Sequence, residues 1–275
     1  MAEVSVSEPL AAYRSGPHHG IPLLLLHGFP LDALMWEDVV MRMPEIPVIS
    51  VDAPGFGDSP SFADVAYAVG RPGAGPSLEV VADAVAAVLA REGIHRAIPV
   101  GLSMGGYVAL ALAERHYSLL AGIGLLDTKS TADDAAARAN RLRIADAAEG
   151  EAGSAAVEPM VDVLLGTTTK AERPDLVAEF IGLLAAAPPA GIAWAQRAMA
   201  ARPDRTEVLA ALEVPALVLR GAEDVISPQE AVETMAHRLD DVEVLVVPEA
   251  GHMTAMEQPD EVAEALKRLW ERANA

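Results

Sequence analysis

The five residues Gly101-Leu102-Ser103-Met104-Gly105 constrain this chain more than any other segment. They follow the apolar run 97–100 and precede the Ala- and Leu-rich stretch 107–112, so the sequence places a serine on a tight turn from a strand into a helix. A serine raised at the end of a strand bends the backbone until the residues two before and two after it nearly collide. Only very small side chains fit at those positions, which is the steric reason for the spacing of the two glycines.

Around this turn, short β-type runs alternate with helical ones. Strands are predicted over 22–26, 47–51, 97–100, 121–126, 216–220 and 243–247, each apolar enough to be buried on both faces. Helices are predicted over 33–41, 78–92, 104–116, 228–238 and 258–273, with Pro228 and Pro259 in first turns, where a missing N–H costs nothing. The alternation implies an α/β fold, a mostly parallel twisted sheet flanked by helices. Residues 4–6 suggest a short antiparallel edge strand, and 70–76 reads by composition as a mobile surface loop. The stretch 129–205 has no strand pattern. Apolar residues recur there at helical spacing over 157–165, 176–184 and 192–199, interrupted by Pro174, Pro188 and Pro189. We read it as a small helical cap inserted between two late strands, leaving 1–128 and 206–275 as the core.

Composition excludes several function classes. A formal charge of −20, with the basic residues scattered, repels phosphate backbones and anionic lipid, so neither nucleic acid nor a membrane is expected as a partner. The chain has no cysteine, hence no disulfide and no thiolate metal site. Its first residues lack a basic segment followed by an apolar one, and its longest strongly apolar run, 23–26, is far short of a span; a soluble cytoplasmic protein is expected.

A serine hydroxyl is a poor nucleophile unless an imidazole takes its proton and a carboxylate orients that imidazole. His252 lies in a loop directly after the last predicted strand, and Asp224 in a loop after the preceding one. Ligand crevices of open parallel sheets lie beyond the carboxyl ends of the strands, so all three loops should open onto one rim, and Ser103, Asp224 and His252 run in the chain order expected of that layout. Asp127, which ends the strand before the cap, is the rival acid. The oxyanion formed on attack at a carbonyl needs two N–H donors; those expected are Met104, next after the serine at a helix N-terminus, and Phe29 in the loop His27-Gly28-Phe29-Pro30.

These motifs, together with Asp52-Ala53-Pro54-Gly55-Phe56-Gly57-Asp58-Ser59 and Gly221-Ala222-Glu223-Asp224, resemble the α/β-hydrolases of the small, single-cap type over essentially the whole chain. Within them the chain is most similar to carboxylesterases, enol-lactonases and the cofactor-free haloperoxidase or perhydrolase group. The resemblance implies a serine hydrolase of a small-molecule ester or lactone with no cofactor. Phe29-Pro30 also resembles perhydrolase-type members, in which hydrogen peroxide can replace water. In this fold a histidine placed as His27 is braces the oxyanion loop. Asp52, Asp58 and Ser59 read as turn formers, Glu223 as a solvated neighbour of Asp224, and Glu257, five residues after His252, as a residue near the start of the last helix, with contact to the imidazole as the alternative. His18 and His19 have no further ligand near in sequence, so no metal site is expected. Candidate pocket residues are Trp36, Met160, Leu164, Phe180, Trp194, Met199 and Ile226. No motif places an arginine to clamp a carboxylate, which favours a neutral substrate. A carbon–carbon hydrolase or lyase on the same residues and a slow-turnover receptor are the alternatives, and the oligomeric state stays open.

Overall fold

Four consecutive leucines, Leu23–Leu26, offer no polar face to solvent, and each contributes about 2 kcal/mol when fully enclosed. Burying them from both sides requires a sheet covered on two faces. The computed structural model describes residues 9–275 and places such a sheet at the centre of the molecule. Among the described residues its strands are β1 (Ala12–Ser15), β2 (Leu23–Leu26), β3 (Val48–Val51), β4 (Ile98–Leu102), β5 (Ile123–Leu126), β6 (Ala216–Gly221) and β7 (Val242–Val247), in spatial order β1-β3-β2-β4-β5-β6-β7. Only β1 runs antiparallel, pairing Ala12 with Val51 through Ser15 with Val48.

Strands β2 to β6 are buried throughout, as their sequences predict. β7 departs from that expectation: on this edge strand of the described sheet Val244 and Val246 are exposed. The possible edge strand at 4–6 lies outside the described residues. Among the described residues the antiparallel edge is β1, whose side chains are all exposed and whose short mixed sequence carries no apolar alternation.

The predicted helices form close to their expected bounds. A 3₁₀ turn, Ala33–Trp36, leads into α1 (Glu37–Met41); α2 is Phe62–Ala68, α3 Leu78–Arg91 and α4 Met104–Arg115. Ser61 and Ser77 cap α2 and α3 by accepting the N–H of Asp64 and Val80. After β6 come α11 (Gln229–Ala236), the single turn α12 (Thr254–Glu257) and α13 (Pro259–Asn274). Pro259 opens its helix as expected, whereas Pro228 sits one position earlier, at the cap of α11.

Between β5 and β6 all the regular structure is helical: α5 (Ala135–Glu149), short turns including α6 (Val161–Leu164), α7 (Thr167–Glu172), α8 (Pro174–Ala186) and α9 (Pro189–Ala201), then α10 (Thr206–Leu209). Pro174 and Pro189 are first residues of their helices, so the prolines punctuate the insertion. The buried carboxylate of Asp133 fastens it. Arg202 at 2.8 Å, Lys129 at 3.3 Å and Arg141 surround Asp133, while the Arg202 guanidinium lies 4.0 Å above the ring of Tyr107 on α4. Burial would raise the Asp133 pKa, yet Arg202 and Arg141 hold it well below the usual carboxylate range. The two ends of the insertion meet. The Arg205 N–H donates to the Ser130 carbonyl at 2.9 Å, and the Ser130 and Thr206 hydroxyls share a bond of 2.8 Å. Among the described residues no single helix is long and apolar enough to cross a membrane.

Candidate active site

Parallel pairing brings the carboxyl ends of five strands to one edge. Leu26 of β2 lies beside Gly101, Leu102 beside Leu126, Leu126 beside Leu219, and Gly221 beside Val247. The residues that leave these ends are the ones singled out in the sequence.

Ser103 is held at φ 53°, ψ −109°, a backbone setting that costs an L-residue of order 1–3 kcal/mol. The close packing inferred from the glycine spacing is present. A Cβ on Gly101 would lie 2.1 Å from the Gly105 carbonyl, and one on Gly105 would lie 2.0 Å from the Leu26 carbonyl oxygen. A bond from the Ser103 N–H to the Leu126 carbonyl (2.8 Å) and one from the Thr128 hydroxyl to the Ser103 carbonyl (2.8 Å) fix the turn against β5.

His252 and Asp224 are both buried, and the structure brings them to Ser103. The His252 Nδ1–H donates to Asp224 Oδ2 at 2.9 Å, which leaves Nε2 to accept the Ser103 hydroxyl at 2.8 Å. The second oxygen of Asp224 accepts the N–H groups of Ile226 (2.8 Å) and Ser227 (3.1 Å). Burial alone would raise the Asp224 pKa; the charge and hydrogen bond of His252, with those two amides, bring it below the ordinary value.

Asp127 does not touch the imidazole. At φ 47° its carboxyl turns toward β6, where Oδ1 accepts the Gly221 N–H at 2.9 Å and Oδ2 the Thr254 hydroxyl. Burial and the neighbouring charge of Asp224 push its pKa well up. The folded protein thus holds this proton more tightly than the unfolded chain, whose Asp titrates at about 3.9. Asp127 supports the fold below that pH and loses the contribution as pH rises toward its folded value. Asp127→Asn keeps an acceptor for Gly221 and offers a donor to Thr254. Its melting temperature should match wild type near pH 4 and exceed it by roughly 2–4 °C at pH 8, the effect of about 1 kcal/mol in a chain this long. Thermal melts across pH test this, and equal melting temperatures at both ends contradict it.

The loop after β2 lies on the serine turn, since a Cβ on Gly28 would meet Leu102 Cδ2 at 2.9 Å. Among the described residues no acceptor takes the N–H of Phe29 or of Met104. His27 braces this loop as expected. Its Nδ1–H donates to the Gly28 carbonyl (2.9 Å), its Nε2 accepts the Ala53 N–H (2.8 Å), and burial lowers its pKa. Asp52 and Ser59 are the turn formers they were read to be. Asp52 accepts the N–H groups of Ala33 (2.8 Å) and Asp58 (2.9 Å), and the Ser59 hydroxyl donates to the Asp52 carbonyl (2.7 Å).

The candidate pocket residues divide. Leu164 and Ile226 adjoin the site directly: the Leu164 carbonyl accepts the His252 N–H at 2.9 Å, and Ile226 follows Asp224 by two residues. Trp194 packs on the loop after β3, donating its indole N–H to the Pro54 carbonyl and meeting Phe56 edge-on at 6.3 Å; Phe56 in turn meets Phe29 at 6.3 Å. Met160 is half-buried, whereas Trp36, Phe180 and Met199 are enclosed in the core.

Two carboxylates have roles that their sequence positions concealed. Glu223 is no free solvated side chain, because it accepts the hydroxyl of Thr167 (2.8 Å) and both the N–H (2.9 Å) and hydroxyl of Thr168 in the insertion. Glu257 ends α12 and is buried, with one carboxylate oxygen turned to the His252 loop and the other to the insertion. Their partners in the insertion lie 55 to 91 residues away in the chain, beyond the reach of any local pattern.

Residues 23–265 match the family model described as the Alpha/beta hydrolase family. An esterase from Thermogutta terrifontis, solved with malate bound, superposes with a TM-score of 0.88 at 36% identity over 97% of this chain and 94% of its own. The enol-lactonase from Burkholderia xenovorans LB400 superposes with a TM-score of 0.82 over 95% and 96% of the two chains; at 24% identity the likeness is one of fold. In sequence, the 2-succinyl-6-hydroxy-2,4-cyclohexadiene-1-carboxylate synthase of Enterobacter sp. (strain 638) is 30% identical over 91% of this chain and 92% of its own.

Proposed function

Because the chain belongs to the alpha/beta hydrolase family, we propose that it is a serine hydrolase cleaving a small to medium neutral carboxylic ester or lactone. The observation that carries this reading is the unbroken line of bonds, 2.9 Å then 2.8 Å, from Asp224 through His252 to Ser103. The likeness to an esterase at 36% identity supports ester hydrolysis as the reaction class.

In this mechanism His252 takes the Ser103 proton as Oγ attacks the carbonyl carbon, and Asp224 stabilises the imidazolium. The Phe29 and Met104 amides receive the oxyanion, each contributing on the order of 10²–10³ in rate. His252 returns the proton to the leaving alcohol, and a water deprotonated by the same imidazole attacks the acyl-enzyme, releasing acid and free Ser103. Hydrogen peroxide in place of water gives a peracid, so perhydrolysis is proposed as a side activity. Residues 129–205 act as a cap over a core of 1–128 and 206–275, with Leu164, Ile226, Met160 and Trp194 beside the acyl or alcohol group. The substrate is a small molecule, without nucleic acid or membrane as partner.

Rapid-quench turnover of p-nitrophenyl esters from acetate to decanoate tests the reading. The expected result is an acyl adduct on Ser103 that forms before steady release of the acid, with peracid appearing when peroxide is added. Identity to a synthase at 30% favours a second reading, a lyase using the same three residues. Product release without any acyl adduct on Ser103 overturns the hydrolase in its favour.

A further inference from the structure

The loop that carries His252 is held by groups outside the serine relay. Its three consecutive N–H groups all find acceptors. Gly251 and Met253 donate to a single oxygen, Glu257 Oε1, at 2.9 and 3.1 Å, and His252 between them donates to the Leu164 carbonyl of the insertion at 2.9 Å. The other oxygen, Glu257 Oε2, accepts the Gly166 N–H at 2.8 Å and the Thr169 hydroxyl at 2.6 Å, both from the insertion. One buried carboxylate thus receives four donors, two from each side of the junction. The two backbones touch without side chains between them. A Cβ on Gly251 would lie 2.3 Å from the Gly166 nitrogen, and one on Gly166 would lie 2.8 Å from the Gly251 nitrogen.

We propose that Glu257 is a positioning residue that sets the imidazole of His252 by locking its loop to the segment 164–169, so that histidine and insertion form one rigid piece. This inference rests on the serine-hydrolase reading above. The chemistry of the junction specifies a carboxylate. Four donors aimed at two oxygens require a group that only accepts, whereas a glutamine amide turns its NH₂ toward either the Gly251 and Met253 amides or the Gly166 amide. A donor then faces a donor, and one half of the lock opens.

The test compares E257A and E257Q with wild type in kcat, KM and the downfield proton resonance of the His252 Nδ1–H bond to Asp224. E257A should lower kcat about 100-fold, the loss that follows a misplacement of about 1 Å, with KM changed less than about threefold. E257Q should recover part of that loss, to about tenfold below wild type. The resonance should shift or broaden in E257A even when Ser103 is also alanine, where no turnover is measured. Folded E257A with wild-type kcat and an unmoved resonance overturns the proposal, as does a loss confined to KM. If E257A does not fold, E257Q decides by the same two measurements. Full activity in S103A would instead overturn the hydrolase reading, and the resonance would still report whether Glu257 sets the histidine.

Discussion

Replacing Ser103 with alanine should abolish ester turnover, with kcat falling on the order of 10⁶-fold while the protein stays folded. The size of the effect follows from the relay. Without Oγ there is no acyl-enzyme, and His252 Nε2 loses the nucleophile whose proton it takes. Stability should change little. Alanine keeps the Cβ and therefore the same strained φ of 53°, and the deleted hydroxyl makes one bond at a half-buried position, worth about 1 kcal/mol. Steady-state kinetics on p-nitrophenyl butyrate beside a thermal melt check both halves. Hydrolysis within tenfold of wild type, in a protein of unchanged melting temperature, would remove Ser103 from the reaction.

The second large effect separates two aspartates that the sequence left in competition. Asp224→Asn should lower kcat about 10⁴-fold. An asparagine at this position still accepts the Ile226 and Ser227 amides at one oxygen, so the loop keeps its shape. Its NH₂, however, meets His252 Nδ1 and forces the proton onto Nε2, where it points at the serine and blocks proton uptake. Asp127→Asn should leave kcat within a few-fold, since Asp127 bonds Gly221 and Thr254 and not the imidazole. Measuring kcat for both variants is decisive, and the reverse order would make Asp127 the acid.

Much of the site could be read from residue order because its parts are local. A glycine two before and two after a serine, or a histidine just past an apolar strand, is visible in a window of a few residues, and the strands were legible because burial on both faces leaves no polar alternation. What escaped has a physical reason in each case. α2 sits behind a run of turn residues, with only its Ser61 cap to announce it. α5 is rich in arginine and alanine and buries only Ile144, Ala145 and Ala148, so no apolar stripe marks it. β7 looked fully buried because four valines and a leucine dominate it, and nothing in its own residues tells that it lies at the edge of the described sheet with Val244 and Val246 uncovered. Glu223 and Glu257 were unreadable for the opposite reason. Each is ordinary in its own neighbourhood and acquires its partners from the insertion only when the segment 166–169 packs beside it.

The meeting of Ser130 with Arg205 and Thr206 has a consequence for how this chain can be altered. β5 and β6 are parallel neighbours, so 206–215 must carry the chain back to the far edge of the sheet before β6 begins at Ala216, but the segment 131–204 is already closed at its neck by Ser130, Arg205 and Thr206, and this makes it a cassette. Another helical segment of different length can be spliced in at the neck without shifting the register of a single strand, because loop closure costs only about 0.6 kcal/mol for each doubling of length. The graft must bring its own counterpart of Leu164 to Thr169. A segment lacking those acceptors and donors would leave the core folded and its histidine loop without its clasp, so the exchangeable part of this protein and its chemistry share one hinge point.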